Sequence, residues 1–185
     1  MEYDIKEVIS FFEIAFRLKK VLRKGWKLEL GITRPESVAD HSYAMCIISM
    51  LISDILGMDT ERMMKMVCLH DLAEAITGDL TPSELSNLHK KKLEDRVIRS
   101  ILTNVPKSIR RKYCSIWKEY LEDRTNLSRI VHRIDKVEMA FQARNYLEQG
   151  YPEHLLNKFL SESHRIVSKK DTILYTLLQT LNSIK

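Results

Sequence analysis

The sequence predicts an all-α protein with a single domain that spans residues 1–185. Apolar residues recur at intervals of three and four along nearly the whole chain, which is the period of amphipathic helices. Only five glycines and four prolines interrupt the 185 residues, and no alternating apolar run bounded by turn signals indicates a strand. A chain of this length buries a substantial core. We therefore expect a bundle of seven or eight helices.

The first helices are predicted from apolar faces and capping residues. The face of the first helix is marked by Ile5, Val8, Ile9, Phe12 and Phe16. Gly25 and Gly31 bracket a predicted loop. Residues 37–40, with sequence SVAD, form a predicted capping box, because a serine oxygen and an aspartate carboxylate satisfy free N–H groups at a helix start. The second long helix begins there and is expected to end at Gly57 in a left-handed cap.

A third helix, capped by Asp59 or Thr60, is expected to continue through residue 77 and to end at Gly78. Residues 79–82 form a predicted loop. The remaining helices are expected from about residue 84 to 104, from Pro106, from about 127 to 148, from Pro152 and from Asp171.

The composition gives a formal net charge of +5 and a pI of about 9.0. A mild positive excess suits an anionic partner, and a phosphorylated small molecule is one such partner. Basic residues cluster at positions 90–92 and 107–112, but no aromatic or glycine residues are interleaved with them. Nucleic acid is therefore not the expected partner, although a basic helical module that binds nucleic acid without catalysis stays an alternative.

The cysteines and the N-terminus predict the cellular setting. The chain has three cysteines and no CxxC motif, and Cys46 and Cys68 lie in apolar helical segments. We expect them to be reduced core residues of an intracellular protein. The N-terminus lacks the basic start and apolar centre of a signal peptide, and no stretch of 18 apolar residues is free of charge. These features predict a cytoplasmic protein that does not span a membrane.

Three short segments carry candidate metal ligands: Asp40-His41, His70-Asp71 and Asp135. The second pair lies in an otherwise apolar segment, where an unpaired imidazole and carboxylate would be costly to bury. A divalent cation satisfies both, since borderline metals accept imidazole nitrogen and carboxylate oxygen. Three packed helices can bring such residues to one point. His132, three residues before Asp135 on the same helical face, is left open as a competing ligand.

Three segments together, RPESVADHS, HDLAEAITGDLTP and IDKVEMA, form an ordered H…HD…D pattern. This pattern resembles the HD-domain superfamily of metal-dependent phosphohydrolases. It is most similar to the small 5′-deoxynucleotidases, the HD-domain-containing protein 2-like family. The similarity extends from LKKVLRKGW to about Tyr151. It implies that the helical bundle is a single HD domain.

The resemblance assigns a role to each matching residue. It implies that one divalent transition metal cation (manganese, cobalt, iron, zinc or nickel) is held by His41, His70, Asp71 and Asp135. Glu74 and Asp79 would be the catalytic carboxylates near the attacking water. Arg23 and Trp26 would bind the substrate by shaping its pocket.

The implied reaction is removal of the 5′-phosphate from a nucleoside 5′-monophosphate, with a deoxynucleotide as the substrate suggested by the resemblance. Relatives self-associate, so a homodimer is expected. Within the superfamily, the alternative is hydrolysis of a triphosphate, cyclic or alarmone nucleotide. The short chain and the single ligand set favour the monophosphate.

Overall fold

The computed structural model of the protein describes residues 3–183, apart from the side chain of residue 182. Single turns of 3₁₀-helix at Leu18–Lys20 and Leu102–Asn104 extend two of the α-helices. The α-helices of the described residues are α1 Ile5–Arg17, α2 Lys24–Leu30, α3 Val38–Leu56, α4 Thr60–His70, α5 Glu74–Thr77, α6 Asn87–Ile101, α7 Lys107–Glu122, α8 Asn126–Glu148, α9 Glu153–Ile166 and α10 Thr172–Ser183. Between residues 3 and 183 the only β pairing is an isolated bridge. The predicted all-α class is confirmed.

The predicted caps are present at both ends of α3. The Ser37 side chain accepts a hydrogen bond from the backbone N–H of Asp40, and the Asp40 carboxylate accepts one from the backbone of Ser37. Gly57 ends the helix with φ 62°, in the left-handed region. Asp59 then caps α4 by accepting from the backbone N–H of Arg62. These contacts connect residues three or four apart, which is why sequence alone predicts them.

The loop predicted between Gly25 and Gly31 contains a helix, α2. Trp26 and Leu30, one helical turn apart, are both buried, and the Trp26 ring lies 4.2 Å from the ring of Phe159 on α9. The helix forms because this face packs on a second, smaller apolar cluster. The short length of α2 concealed its period in the sequence.

The third predicted helix is interrupted where a continuous one was expected. Helix α4 ends at His70, Asp71 has non-helical angles (φ −111°, ψ 11°), and α5 begins at Glu74. Successive residues of a helix point about 100° apart and do not face each other. The turn instead brings Asp71 Oδ2 to 3.1 Å from His70 Nε2, so the break aims both side chains at one point.

The main core lies where α3, α4 and α8 cross. Its fully buried side chains include Met45 on α3, Met63 and Met66 on α4, and Ile134 on α8. The helices α6, α7 and α10 close this core from outside, while α9 packs along α8. The polar residues of the same three crossing helices therefore meet inside the protein rather than at its surface.

The cysteine prediction is wrong for one residue. Cys68 on α4 is exposed, and Cys46 on α3 is half-buried. Their Sγ atoms lie 3.8 Å apart as free thiols. Cys68 follows Val67 and precedes Leu69, both buried, so it lies on the outer side of its helix.

The outer face of α3 is apolar and exposed. We call it the α3 outer stripe, and it consists of Tyr43, Ile47, Met50, Leu51 and Ile55. These side chains are 46% to 69% exposed and repeat at helical spacing. Among the helices of the described residues, α3 alone is long and apolar enough to cross a bilayer. This is weak evidence for a membrane span, because core helices meet the same criterion and α3 packs on α4 and α8.

Candidate active site

Three helices place the four predicted metal ligands at one end of the core crossing. His41 lies in the first turns of α3, His70 ends α4, Asp71 follows it, and Asp135 lies near the middle of α8. His41 Nε2 lies 3.3 Å from Asp135 Oδ1 and 3.8 Å from Asp71 Oδ2. It lies 3.4 Å from His70 Nε2. The structure thus brings together residues that are up to 94 positions apart in the sequence.

Both imidazoles present the same nitrogen to this point. His70 Nδ1 donates to the carbonyl of Val67 at 2.6 Å, and His41 Nδ1 donates to Glu138 Oε2 at 2.5 Å. A neutral imidazole that donates through Nδ1 has its lone pair on Nε2. Two Nε2 atoms therefore face each other with no hydrogen atom required between them, which is the arrangement of two ligands around a common cation.

This donor set fits a divalent metal. Ligand atoms of His41, His70 and Asp71 lie within 4.8 Å of one another, and Asp135 Oδ1 completes the group beside His41. Two imidazole nitrogens and two carboxylate oxygens suit manganese, cobalt, iron, zinc and nickel. Both histidines are buried and both aspartates are mostly so, so that a bound ion would lie against the protein with one side open to the cleft.

The charges of the site favour a cation. Burial opposes ionisation of Asp71 and of Asp135, but neighbouring positive groups outweigh it and lower the pKa of both carboxyls. Burial and Arg23 oppose protonation of His41, yet its bonds to Asp135 and Glu138 raise its pKa to about 10. A metal ion would take the place of this proton, because imidazole binds metals in its neutral form.

Arg23 lies at the edge of this site, immediately before α2. Its Nη1 lies 3.5 Å from Asp71 Oδ2, and its Nε lies 4.0 Å from Glu36 Oε1. The guanidinium therefore borders the ligand group and keeps donors free for an anion. Trp26 is only 2% exposed, and its Nε1 donates to Glu36 at 2.8 Å. Its ring contributes an apolar wall of the neighbouring cavity, while its polar edge is used inside the protein.

Glu74 is 1% exposed and lies at the start of α5. Its Oε1 accepts a hydrogen bond from Lys90 Nζ at 3.1 Å, and its Oε2 has no partner among the described residues. Burial, and then the charge of Asp71, raise the pKa of Glu74 to about 9. The carboxyl is therefore protonated at neutral pH in the metal-free protein.

Asp79 is placed by the loop that follows α5. One of its oxygens, Oδ2, accepts a hydrogen bond from the backbone N–H of Lys24 at 2.6 Å. This contact fixes the start of α2 against the loop and leaves Oδ1 for other partners. Asp79 also lies on the wall of the cavity beside Arg23.

Two adjoining cavities open beside the ligands. The first, of about 320 Å³, is lined by His70, Asp71 and Asp135 together with Glu74. The second, of about 570 Å³, lies between α2, α9 and residues 79–83. The walls of both include Arg23, Lys90 and Lys136. A phosphate held by these cations is thus able to face the ligands while the rest of the molecule occupies the larger cavity.

His132, which was left open as a ligand, is engaged elsewhere. Its Nε2 donates to the carbonyl of Tyr120 at 3.1 Å, and the two rings stack with centroids 4.2 Å apart. It lines the smaller cavity, and its ring is turned towards α7.

Several site residues were not identified from the sequence: Glu36, Lys90, Lys136 and Glu138. The sequence offered the clearest signal for Glu138, because it lies three residues after Asp135 within the motif IDKVEMA and therefore on the same helical face. Lys136 Nζ pairs with Asp135 Oδ2 at 3.0 Å. Lys90 had no signal beyond a run of three lysines, since only the folded chain brings it to Glu74.

The fold and donor set define a class of protein: a helical domain in which two histidines and two aspartates from three helices offer one site to a divalent cation. The family model described as HD domain matches residues 15–173. The chain therefore belongs to the HD domain family, as its motifs predicted.

Individual relatives show which members of the HD domain family this chain is similar to. The 5′-deoxynucleotidase HDDC2 of Danio rerio is 34% identical over 156 residues, which cover 83% of this chain and 77% of that protein. The 5′-deoxynucleotidase hdd1 of Schizosaccharomyces pombe is 35% identical over 157 residues, covering 82% and 78%. A conserved hypothetical protein from Pyrococcus furiosus has a similar structure, with a TM-score of 0.78 and 28% identity over 95% of this chain and 99% of that one. The predicted class, a metal-dependent phosphohydrolase, is confirmed.

Proposed function

We propose that the protein removes the 5′-phosphate from nucleoside 5′-monophosphates, and from deoxynucleotides in particular. The observation that carries this proposal is the convergence of two imidazoles and two carboxylates beside a cleft lined by Arg23, Lys90 and Lys136. A cation next to such a cleft is suited to a phosphomonoester dianion. The names of the relatives from Danio rerio and Schizosaccharomyces pombe support the deoxynucleotide.

The proposed holders of the metal are His41, His70, Asp71 and Asp135. When bound, a divalent cation at this position polarises a phosphoryl oxygen and lowers the pKa of water. Manganese, cobalt, iron, zinc and nickel are all candidates on donor chemistry. Arg23 and Lys136 bind the phosphate oxygens and place the phosphorus opposite the ligand group, because both line the two cavities.

Glu74 is the proposed proton-transfer residue. Burial, and then the charge of Asp71, raise the pKa of Glu74 to about 9 in the metal-free protein, and its unpartnered Oε2 is proposed to donate a proton to the leaving 5′-oxygen as water attacks the phosphorus. Lys90 holds the other oxygen and so fixes the direction of the carboxyl. Asp79 is proposed to assist through a hydrogen-bonded water, with its Oδ2 anchored to the backbone of Lys24.

The larger cavity is the proposed nucleoside pocket. Trp26, Met139 and Phe159 provide apolar walls, while Lys158 and Glu162 offer polar groups at its rim. Flat apolar walls with a few polar groups are typical of pockets for small aromatic ligands. The choice between ribose and deoxyribose and between bases is made here.

The experiment that tests the function is phosphate release from a panel of ribo- and deoxynucleoside monophosphates. The protein is first stripped with a chelator and then supplied with each candidate metal in turn. We expect release only with added metal, and higher kcat/KM for deoxynucleotides. Nucleoside triphosphates and cyclic nucleotides are tested in parallel, and faster turnover of either would replace the monophosphate in this proposal. Metal-independent, salt-sensitive binding of RNA or DNA without turnover would support the nucleic-acid alternative.

We further propose a cytoplasmic homodimer formed through the α3 outer stripe. Five large apolar side chains on one helical face are unusual on a monomer surface and are typical of self-association. A twofold contact places the same stripe of a second copy opposite, which matches apolar surface with apolar surface. The site lies on the inner side of the same helix, so association leaves its ligands inside each copy.

A further inference from the structure

Glu138 lies on α8 one helical turn after Asp135 and is 2% exposed. Its Oε2 accepts the Nδ1–H of His41 at 2.5 Å, across 97 residues of sequence. His41 is fully buried, so this hydrogen bond is closed to solvent. Glu138 bonds to Nδ1, and the two ring nitrogens of an imidazole point in different directions. Glu138 is therefore not placed to bind the same ion as Nε2.

We propose that Glu138 is a positioning residue for the metal, acting through His41. An imidazole rotates about two side-chain bonds and exchanges its proton between two nitrogens. A carboxylate that accepts from Nδ1 settles both, since it fixes the ring plane and leaves the lone pair on Nε2. It also makes Nε2 a stronger donor to a cation. The inference rests on the metal site proposed above and concerns metal binding rather than turnover.

The two histidines of the site differ in this respect. His70 donates its Nδ1–H to the neutral carbonyl of Val67, which belongs to its own helix. His41 donates to a carboxylate on another helix, so its orientation depends on how α3 and α8 pack. Glu138 therefore connects the packing of the core to the strength of one metal bond, and the Val67 carbonyl does not.

Glu36 also lies beside this pair. Glu36, His41 and Glu138 each offer an atom within 4.8 Å of the others. Glu36 accepts from Trp26 Nε1, and burial followed by the charge of Glu138 raises its pKa to about 7. Because Glu36 is occupied by the indole, Glu138 is the carboxylate that bonds to the imidazole.

The test measures Co²⁺ binding to metal-stripped protein by competition with a chelator. The variants are Glu138→Ala and Glu138→Gln, and the matched control is Glu148→Gln, an exposed glutamate on the same helix. Removal of the acceptor in Glu138→Ala is expected to weaken Co²⁺ binding by about 10- to 100-fold. Glu138→Gln keeps an acceptor oxygen and is expected to lose less. The control is expected to match the original protein.

A spectroscopic signature separates positioning from a purely structural role. In the Co²⁺ form, the exchangeable Nδ1–H of His41 gives a proton resonance shifted by the paramagnetic ion. We expect this resonance in the original protein, a changed shift in Glu138→Gln and loss by exchange with water in Glu138→Ala. If Glu138→Ala does not fold, Glu138→Gln carries the test. Unchanged Co²⁺ affinity and an unchanged resonance in that variant overturn the inference.

The outcomes distinguish this inference from the proposed function. No Co²⁺ uptake by the original protein overturns the metal site and the inference together. Uptake by the original protein with equal affinity in folded Glu138→Ala overturns the inference alone. A folded Glu138→Ala with lower thermal stability but unchanged Co²⁺ affinity assigns Glu138 to the core only, and this result also overturns it.

Discussion

The two faces of α3 each depart in one respect from the usual pattern of a surface helix, because a buried histidine lies among the apolar residues of its inner face and apolar residues line its outer face. Its inner face carries His41, which is fully buried and bonded to charged partners on α8. Its outer face carries the apolar α3 outer stripe, which is exposed. Most surface helices place polar groups outside and apolar groups inside. Buried polar groups and exposed apolar patches are the two features that ordinary folding does not explain, and each therefore indicates a function.

The two faces of α3 are suited to two different kinds of binding. His41 on the inner face suits a divalent borderline cation, since the donor atoms around it have fixed positions. The outer face has no direction beyond its shape, because apolar burial is non-directional and scales with area. We expect single substitutions on the inner face to remove activity and single substitutions on the outer face to change only association.

The largest expected effect is at the site that His41, on the inner face of α3, shares with Asp71 after α4. Asp71→Ala removes a carboxylate ligand, and we expect loss of metal uptake and a fall in phosphate release of at least about a thousandfold, since several kcal/mol of transition-state stabilisation depend on the metal. Elemental analysis and a phosphate assay measure both. Asp54→Ala, an exposed aspartate on the outer side of α3, is the control. Full metal occupancy in Asp71→Ala would remove Asp71 from the site.

A smaller loss is expected for Glu74→Gln. The variant cannot transfer a proton, but it keeps every proposed metal ligand. We therefore expect normal metal content and a fall in kcat of about a hundredfold, which is typical for loss of general acid–base catalysis. Glu148→Gln serves as control. Phosphate release at the original rate would show that Glu74 does not transfer the proton.

The outer face is tested by Leu51→Glu. Leu51 is 60% exposed in the single chain. A charge in a self-associating stripe is expected to weaken the dimer roughly thirtyfold, as about 2 kcal/mol of apolar burial is lost. Sedimentation equilibrium measures this, and metal content is expected to stay unchanged. If the unsubstituted protein is itself a monomer, the proposed dimer is wrong. Co-sedimentation of that monomer with lipid vesicles would then assign the α3 outer stripe to binding at a membrane surface.

The smallest effect concerns stability and pH in the metal-free protein. Burial raises the pKa of Glu74 from an ordinary value of 4.5 to about 9. The folded state therefore retains a proton that the unfolded chain loses near pH 4.5. The stability that this proton contributes is fully present below pH 4.5 and is lost as the pH rises through 9.

In Glu74→Gln the side chain at position 74 is neutral at every pH, so the variant does not lose this stability as the pH rises. Its stability advantage over the original protein is expected to grow from pH 5 to pH 9 and to reach at least about 1.4 kcal/mol, the equivalent of one pKa unit. Urea unfolding of both metal-free proteins at pH 5, 7 and 9 measures the difference. A difference that does not change with pH would show that Glu74 ionises normally in the folded state.

The sequence by itself determined the features that depend on near neighbours. The capping box of Ser37 and Asp40, the left-handed end at Gly57 and the helical class follow from contacts within one helical turn. The ordered motifs also identified His41, His70, Asp71 and Asp135 as candidate ligands, which the structure brings together, because their similarity to a known family carries information that no local contact supplies.

Only the tertiary structure decided the break after His70, the helix around Trp26, the exposure of Cys68 and the contact of Glu138 with His41. Two of these features depend on partners far away in the chain, since Trp26 packs on Phe159 and Glu138 bonds to His41 across 97 residues. A helical period cannot reveal such partners, because it reports which face of a helix is apolar and not what lies opposite. The free-energy cost of burying a polar group depends on whether the neighbouring helix offers it a hydrogen-bond partner.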